Sequence, residues 1–249
     1  MNISLAAESL FHIGTFPITN TLIMSWAVIA VLVVVALLAR RSLGTGGVPK
    51  GIGNAFEAVI EALLDFVDSV TRDREKSERF LPIIATIFLF VIVSNWIELV
   101  PGLGTIGIWE EHEGKSILVP FIRSASADLN VTLAVAIISV VATHLYGVGA
   151  LGLGNHLKKF FNFSNPIMTF VGLLELISEF AKVISFSFRL FGNIFAGEVL
   201  LLVVATLAPY VIPLPFLFLE IFVGFVQALV FSMLTLVNLQ MATAHHDTH

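Results

Sequence analysis

The sequence predicts an all-α polytopic membrane protein, and its composition and the length of its apolar runs carry that prediction. Of the 249 residues, 57% are hydrophobic and 12% are charged, whereas soluble domains carry about 25% charged residues. The mean hydropathy is +0.96. We predict one membrane domain over residues 1–249, with five membrane-embedded helices and one amphipathic surface helix.

Five apolar runs are long enough to cross a bilayer, since a spanning helix needs about 20 residues. They cover residues 21–39, 81–100, 128–149, 166–208 and 213–240. Turn-forming or charged segments separate them. These are a linker over 42–53, a solvated charged turn over 71–79, a loop over 101–116 that extends towards 126, and a basic loop over 156–165.

The segment over residues 52–70 is predicted to form the amphipathic helix. Its acids, Glu57, Glu61, Asp65 and Asp68, fall on different faces from its apolar residues. Such a helix lies on the membrane surface or packs against its neighbours, and it does not span. The apolar residues recur at helical spacing: Ile52, Phe56, Val59, Ile60, Leu63, Val67 and Val70.

The fourth run is too long for an upright span. Pro166 suits the start of a helix, and no proline interrupts the run before Ala208. About 43 residues at about 1.5 Å each reach about 64 Å, and the hydrocarbon core is about 30 Å thick. The helix must therefore break, protrude or tilt far beyond the usual angle of about 20°. The segment "PYVIPLP" then turns the chain, so the last two helices form a hairpin.

The distribution of Lys and Arg predicts the orientation, because cytoplasmic loops are enriched in both. Only Lys115 and Arg123 fall on one side, so the N-terminus is predicted outside and the C-terminus in the cytoplasm. The opposite side holds Arg40, Arg41, Lys50, Arg72, Arg74, Lys76, Arg79, Lys158 and Lys159.

Charged side chains inside the spans are the candidate functional residues, since each costs at least about 2.5–3.5 kcal/mol at mid-bilayer. The alternative is a salt bridge that only joins helices, and for Lys182 with Glu175, Glu179 or Ser178 the two readings stand equal. Arg189 favours function, because the residues four before and four after it are neutral. The candidates are Glu175, Glu179, Lys182, Arg189, Glu198 and Glu220.

Helical geometry separates Glu198 from Arg189. At 100° per residue, Glu198 is turned about 180° from Arg189 and lies about 13.5 Å further outward. The two therefore do not pair on that helix. A polar stripe within about 40° of arc holds the others: Glu175, Lys182, Ser185, Arg189 and Asn193.

The hairpin brings residues of the last two helices to equal depth. Glu198 then lies level with Glu220, and Arg189 lies level with Gln227. Two acids at one depth suit a proton relay, because like charges and desolvation favour their protonated forms. Arg189 cannot relay a proton and acts as a fixed charge. The residues around Arg189 are small, which either lets another helix approach closely or serves ordinary packing within the protein. They are Ser185, Ser187, Gly192, Ala196 and Gly197.

No metal or cofactor is expected. The chain lacks cysteine, which excludes disulfides and iron–sulfur sites. His144 is the one histidine within a predicted span, and haem between spans needs a histidine pair, so we interpret His144 as structural or interfacial. Asp128 either caps the third span or lines a water entrance, and capping is favoured. The net charge of −5 is dispersed, which predicts no nucleic-acid partner.

Two motifs carry a resemblance to a known family. "SFRLFGNIFAGE", residues 187–198, together with "GFVQALVFSMLTLVNLQMA", residues 224–242, resembles subunit a of the F-type ATP synthase membrane sector (the ATPase A chain family). The resemblance implies a stator that faces a rotating ring of c subunits and provides two aqueous half-channels for protons. It also implies that the last two helices lie steeply tilted around that ring.

The resemblance assigns roles to particular residues. Arg189 matches the essential arginine between the half-channels. Glu198 and Glu220 match positions of the outer half-channel, and Asn193 and Gln227 match polar positions beside the arginine. The inner access path is matched by Glu175 and Ser185.

Partners and location are also implied. The implied partners are the c-subunit ring, the peripheral-stalk b subunits, the lipid bilayer and, indirectly, the soluble ATPase sector. The subunit itself makes or breaks no bond, and a bacterial inner membrane is favoured over that of an organelle. From the residues alone, a secondary transporter or channel stays open, but repeats or broken helices expected there are not seen. A membrane subunit of a respiratory complex would show more paired Lys and Glu.

Overall fold

The computed structural model describes residues 7–43, 52–100, 106–112, 115–160, 165–208 and 211–244. Two small antiparallel hairpins accompany the helices: β1 (Ser9–Ile13) with β2 (Phe16–Thr19), and β3 (Gly107–His112) with β4 (Lys115–Pro120). The helices are α1 (Asn20–Leu43), α2 (Ile52–Thr71), α3 (Arg74–Ile97), α4 (Leu129–Leu151), α5 (Leu153–Lys158), α6 (Pro166–Leu207) and α7 (Pro213–Thr243), with a 3-10 turn at Ala125–Ala127.

Five of these helices are long and apolar enough to cross a membrane, namely α1, α3, α4, α6 and α7. This confirms the predicted all-α polytopic class. The amphipathic helix is α2, and part of its apolar face is buried inside the protein: Leu63 and Val67 are covered, whereas Val59 is exposed. Val67 packs with Ile84 of α3 and Leu239 of α7, so α2 packs against its neighbours.

Two segments predicted as turn or loop are helical. The turn predicted over 71–79 is shorter than expected, because α3 already begins at Arg74. Asp73 caps this helix: its side chain accepts hydrogen bonds from the backbone N–H groups of Glu75 and Lys76. Arg72 makes the break between α2 and α3 with a φ of 53°. In the predicted basic loop, residues up to 158 belong to α5. Residues 44–51 of the predicted linker and 161–164 of the basic loop lie outside the described residues.

The loop predicted over 101–126 contains the β3–β4 hairpin and the 3-10 turn, which is a correction. The hairpin runs in register from Gly107 opposite Pro120 to His112 opposite Lys115. Ile108, Trp109, Ile117, Leu118 and Val119 include the β-branched and aromatic types favoured in strands. The glycines and charged residues of this segment indicated a loop, whereas its strand-forming residues pair as a hairpin.

Asp128 caps α4, as favoured from the sequence. Its carboxylate accepts a hydrogen bond from the Asn130 backbone N–H at 2.8 Å and another from the Thr21 hydroxyl at 2.7 Å. The second bond joins the start of α1 to the start of α4, at the end of the bundle where both hairpins lie. Asn20 continues this junction by donating to the Pro120 carbonyl of β4.

The centre of the bundle is formed by α3, α4, α6 and α7, around buried residues such as Val91, Ala136, Leu190 and Phe231. Hydroxyl pairs also join these helices: Ser139 and Thr235 lie 2.8 Å apart, and Thr132 and Ser187 lie 3.1 Å apart. Small and hydroxyl side chains are the usual means of close helix packing in membranes.

α6 runs unbroken for 42 residues, which at about 1.5 Å per residue is about 63 Å. Of the three predicted solutions to its length, a break is excluded, so the helix tilts or protrudes from the bilayer. α7 adds 31 residues after the turn and packs along α6. The two helices form the predicted hairpin.

The α4–α7 contact predicts a specific cross-link. Replacing the hydroxyl pair by Ser139→Cys and Thr235→Cys places two thiols where the oxygens now lie 2.8 Å apart. Because the chain has no other cysteine, mild oxidation should give one disulfide, seen as altered mobility on a non-reducing gel. A control pairs Ser139→Cys with Met233→Cys, since Met233 is exposed on another face of α7. Equal cross-linking in both pairs would contradict the packing.

Candidate functional site

The α6–α7 hairpin positions most of the predicted site residues, and one hydrogen bond fixes its register. The Asn193 amide nitrogen donates to Oε1 of Gln227 at 3.1 Å. Gln227 is buried at 4% exposure, whereas Asn193 is exposed, so this bond lies at the edge of the bundle. The sequence placed Arg189 level with Gln227, and the structure gives Asn193, one turn further along α6, as the bonded partner.

A second contact lies further along the hairpin, between Gly197 and Glu220. A Cβ atom built at Gly197 would overlap the carboxylate of Glu220. Because glycine has no side chain, the Glu220 carboxylate can occupy the space beside residue 197. Glu220 thus lies level with Gly197 and its neighbour Glu198, in agreement with the equal depth expected for the two acids.

Glu198 has a partner that the sequence analysis did not assign. Arg123, from the segment between β4 and the 3-10 turn, donates from Nη2 to Oε2 of Glu198 at 2.9 Å and from Nε to Oε1 at 3.1 Å. The Arg123 side chain is 6% exposed and that of Glu198 is 23% exposed. This two-pronged ion pair joins the loop before α4 to the last third of α6.

Glu98, directly after α3, is a third acid of this cluster. It lies within hydrogen-bonding range of the Ser124 hydroxyl and close enough to Glu198, Arg123 and Glu220 for their charges to interact. We call Glu98, Arg123, Glu198 and Glu220 the outer cluster. It holds three carboxyl groups and one guanidinium, so a proton on one acid relieves the repulsion among them.

Sequence reasoning missed Glu98 and Arg123 for different reasons. Glu98 falls inside the predicted span over 81–100, so an acid there was a usable signal. Arg123 was counted only as a positive charge in an outer loop. Its pairing with Glu198 spans 75 residues of sequence, and no local pattern predicts a contact of that kind.

Arg189 faces away from the bundle. Its side chain is exposed, as are Ser185, one turn before it, and Gly192, almost one turn after it. Its guanidinium lies 6.0 Å from the ring centre of Phe186. Among the residues that the structure describes, no acid forms an ion pair with it. Helix α6 thus presents a permanent positive charge on its outer surface.

Ion pairs occupy the beginning of α6. Lys182 Nζ lies 2.7 Å from Oε1 of Glu179, and Lys159 Nζ lies 2.7 Å from Oε1 of Glu175. Lys182 therefore forms a salt bridge with Glu179, but this pair lies within α6 and does not join two helices. The predicted polar stripe divides accordingly: Glu175 binds Lys159, Asn193 binds Gln227, and Ser185 and Arg189 stay on the exposed surface.

His144 belongs to a group of polar side chains at the same end. Its Nδ1 lies 3.1 Å from Nε2 of His156, and its Nε2 lies 3.6 Å from Oε2 of Glu179. His156 was assigned to a loop from the sequence, so this histidine pair was not foreseen. Within the described residues, no group of three or more His, Asp or Glu side chains has the arrangement of a metal site.

These features define a class of protein. Five apolar helices are long enough to cross a membrane, and ionisable side chains lie along the last two. Charged groups at such positions are typical of membrane proteins that move ions or protons.

Comparison with known proteins specifies the family. The family model described as ATP synthase A chain matches residues 22–240. ATP synthase subunit a of Campylobacter jejuni subsp. jejuni serotype O:23/36 (strain 81-176) is 35% identical over 242 residues, covering 96% of this chain and 91% of that protein. ATP synthase subunit a of Trichlorobacter lovleyi is 31% identical over 241 residues, covering 96% and 93%. The chain belongs to the ATP synthase A chain family, as the two motifs predicted.

The contact at Gly197 predicts a position-specific loss of activity. Gly197→Ala places a methyl group against the Glu220 carboxylate, so that carboxylate must leave its present position. We expect slower ATP-driven proton pumping per assembled complex in membrane vesicles. Gly192→Ala is the matched control, because a Cβ at Gly192 meets nothing within 4 Å. Equal pumping by the two variants would contradict the proposed crowding.

The Arg123–Glu198 pair predicts a non-additive effect on stability. Arg123→Gln leaves a carboxylate of low exposure without its guanidinium, and breaking such a pair costs about 3–5 kcal/mol. We expect the lower end of that range, because Glu198 is 23% exposed. Thermal unfolding of the purified subunit in detergent measures the loss.

Adding Glu198→Gln to Arg123→Gln removes the unpaired charge and should restore much of the stability. If the double variant were as unstable as the sum of the two single variants, the ion pair would not be the source of the loss.

Proposed function

We propose that this chain is the proton-translocating stator subunit of an F-type ATP synthase. It provides two aqueous half-channels and presents Arg189 to a rotating ring of c subunits, which couples proton flow to ring rotation and ATP synthesis. The observation that carries the proposal is the exposure of Arg189 on the outer surface of an unbroken spanning helix.

A guanidinium on a membrane-facing surface requires a partner. Arginine stays protonated at all accessible pH values, and leaving that charge against lipid is costly. A neighbouring protein that carries carboxylates at the same depth would neutralise it. The surface beside Arg189 also suits a close approach, since Ser185, Gly192 and Ala196 are small and exposed.

The outer cluster supports the outer half-channel. Glu220 and Glu198 lie further along the hairpin than Arg189, and Asn193 and Gln227 lie between them and the arginine. Asn95 Oδ1 and Gln227 Nε2 are buried without a hydrogen-bond partner among the described residues. Buried polar atoms of this kind commonly bind water, which supports a hydrated route from the outer cluster towards the centre of the membrane.

The inner half-channel is proposed along the first half of α6. Ser185 is exposed one turn before Arg189, and Glu175 lies further towards the start of the helix, where Lys159 binds it. These residues lie on the opposite side of Arg189 from the outer cluster. Protons thus have separate access from each side, with the arginine between the two routes.

The proposed cycle follows from this arrangement. A proton passes from outside by Glu220 and Glu198 and neutralises a carboxylate of the ring, and that carboxyl group can then move into lipid. After nearly a full turn, another ring carboxyl reaches the inner half-channel and loses its proton. The resulting carboxylate is attracted to Arg189, which blocks a direct passage of protons. Each charge that crosses contributes about 2.3 kcal/mol per 100 mV.

The setting of the complex is part of the proposal. The Lys and Arg distribution favours an outer N-terminus and a cytoplasmic C-terminus, and the relatives described above are bacterial, which favours a bacterial inner membrane. The further partners would be the peripheral-stalk b subunits and, through them, the soluble ATPase sector. In this subunit no bond is made or broken, and no cofactor is needed.

Arg189→Ala tests the proposal. If the arginine is the fixed charge between two half-channels, the complex should assemble but make no ATP, while its membrane sector still conducts protons passively. Arg189→Lys should also fail, because lysine lacks the planar fork and can lose its proton when buried. ATP synthesis and passive proton flux are measured in vesicles with a known amount of complex. Coupled synthesis by the alanine variant would overturn the proposed function.

A further inference from the structure

A group of titratable side chains at the beginning of α6 has no role in the cycle described above. It consists of His144 near the end of α4, His156 in α5, and Glu179 with its partner Lys182 in α6. His144 lies in the middle, with Nδ1 at 3.1 Å from His156 Nε2 and Nε2 at 3.6 Å from Glu179 Oε2. We call these four residues the histidine cluster.

The cluster is suited to hold a protonated His144. A charged imidazole carries an N–H on both ring nitrogens, and both nitrogens of His144 face a group that can accept. His156 Nε2 lies on one side, and the Glu179 carboxylate lies on the other at ion-pair distance. In the neutral ring, one proton is shared within the histidine pair, and the ion pair with Glu179 is not formed.

The second histidine is suited to accept rather than to hold the charge. Burial lowers the pKa of His156, and the nearby His144 and Lys159 lower it further. A histidine with a lowered pKa becomes charged at a lower pH than an ordinary histidine. Of the two rings, His144 is the one that also faces a carboxylate at ion-pair distance, so it is the better placed to hold a proton.

The position of the cluster connects it to the proposed inner half-channel. Glu179 and Lys182 precede Ser185 and Arg189 on α6 by one to three turns. The Glu179 side chain is 12% exposed, whereas that of His144 is 31% exposed. A proton on Glu179 can therefore pass to His144, whose side chain is more exposed to water than that of Glu179.

The charged groups around His144 come from each element packed nearby. On the other side of α4, Arg79 of α3 contacts Tyr146 and Gly149. α7 contributes the Ala242 carbonyl near Gly147 and His156. Outside the four members of the cluster, Lys159 lies close enough to His156 to lower its pKa, and Lys159 pairs with Glu175 of α6.

We propose that His144 is a proton-binding residue of the inner access path, held between Glu179 and His156. This inference rests on the proposed function. In the synthesis direction, a proton that reaches Glu179 binds the lone pair of His144 Nε2, which leaves the carboxylate and an imidazolium with two N–H bonds. Loss of the Nε2 proton to water restores the neutral ring. In the pumping direction, the same steps collect protons from the cytoplasm.

His144→Gln tests this role through the pH dependence of proton uptake. Inverted vesicles are stripped of the soluble sector, and a potassium diffusion potential drives protons in from the medium, which is the cytoplasmic side. The pH of the medium is varied across the range of histidine titration, from about 5 to 8. Without a group that collects protons, uptake should require a higher proton concentration, so the midpoint of the profile should shift to lower pH.

Two controls separate proton binding from a structural role. Tyr146→Phe removes the hydroxyl that donates to the Arg79 carbonyl, at the same end of α4, and it should leave the midpoint unchanged. Varying the lumenal pH at a fixed external pH should not separate His144→Gln from the unmodified protein. A uniform loss at all pH values, an unchanged midpoint, or the same shift with Tyr146→Phe would overturn the inference.

Further variants keep the test decisive. Glu179→Gln keeps the shape of the side chain and removes the charge that stabilises the imidazolium, so it should shift the midpoint in the same direction. It replaces His144→Gln as the deciding variant if the latter does not assemble. Failure of the two proposals is distinguishable: coupled synthesis by Arg189→Ala overturns the proposed function, whereas a normal profile in His144→Gln, with Arg189→Ala uncoupled, overturns only the role of His144.

Discussion

The register between α6 and α7 is the constraint on which the arrangement of charges depends. The hydrogen bond from Asn193 to Gln227 and the space left by Gly197 for Glu220 fix it at two places. With the two helices locked in this register, Glu220 lies beside Glu198, and Arg189 is left on the opposite, exposed surface. A slip by one residue would turn each of these side chains by about 100° around its helix axis. Glu198 would then leave the position in which Arg123 now pairs with it.

Much of this register could be predicted from the sequence, because it follows from helical geometry alone. A proline at each end of the turn and the absence of proline through α6 define two antiparallel helices. Once they are antiparallel, the depth of each residue is set by its distance from the turn. That reasoning brought Glu198 and Glu220 together and separated both from Arg189. It did not name the hydrogen-bonded partner of Gln227, which is Asn193, one turn further along α6 than Arg189.

The rest depends on contacts between segments distant in sequence, which no local pattern specifies. Arg123 reaches Glu198 from a loop whose hairpin was not foreseen, and His156 reaches His144 from a segment taken as irregular. Both errors have one physical origin. Polar and glycine-rich segments were interpreted as solvated connections, although they fold back onto the ends of the helices and supply partners for charges there. Glu98 is different, because an acid at the end of an apolar helix was a signal available in the sequence itself.

The distribution of charged partners along α6 bears on how the two proposed routes stay separate. On one side of Arg189, Glu198 is held by Arg123; on the other, Glu179 and Glu175 are held by Lys182 and Lys159. Each acid that lies on α6 therefore has a cation from its own chain. Arg189 has no such acid among the described residues, so its charge is available to a carboxylate from outside. Because a guanidinium neither gives up nor accepts a proton under accessible conditions, the place where the two proposed routes approach each other is occupied by a charged side chain that cannot pass a proton between them.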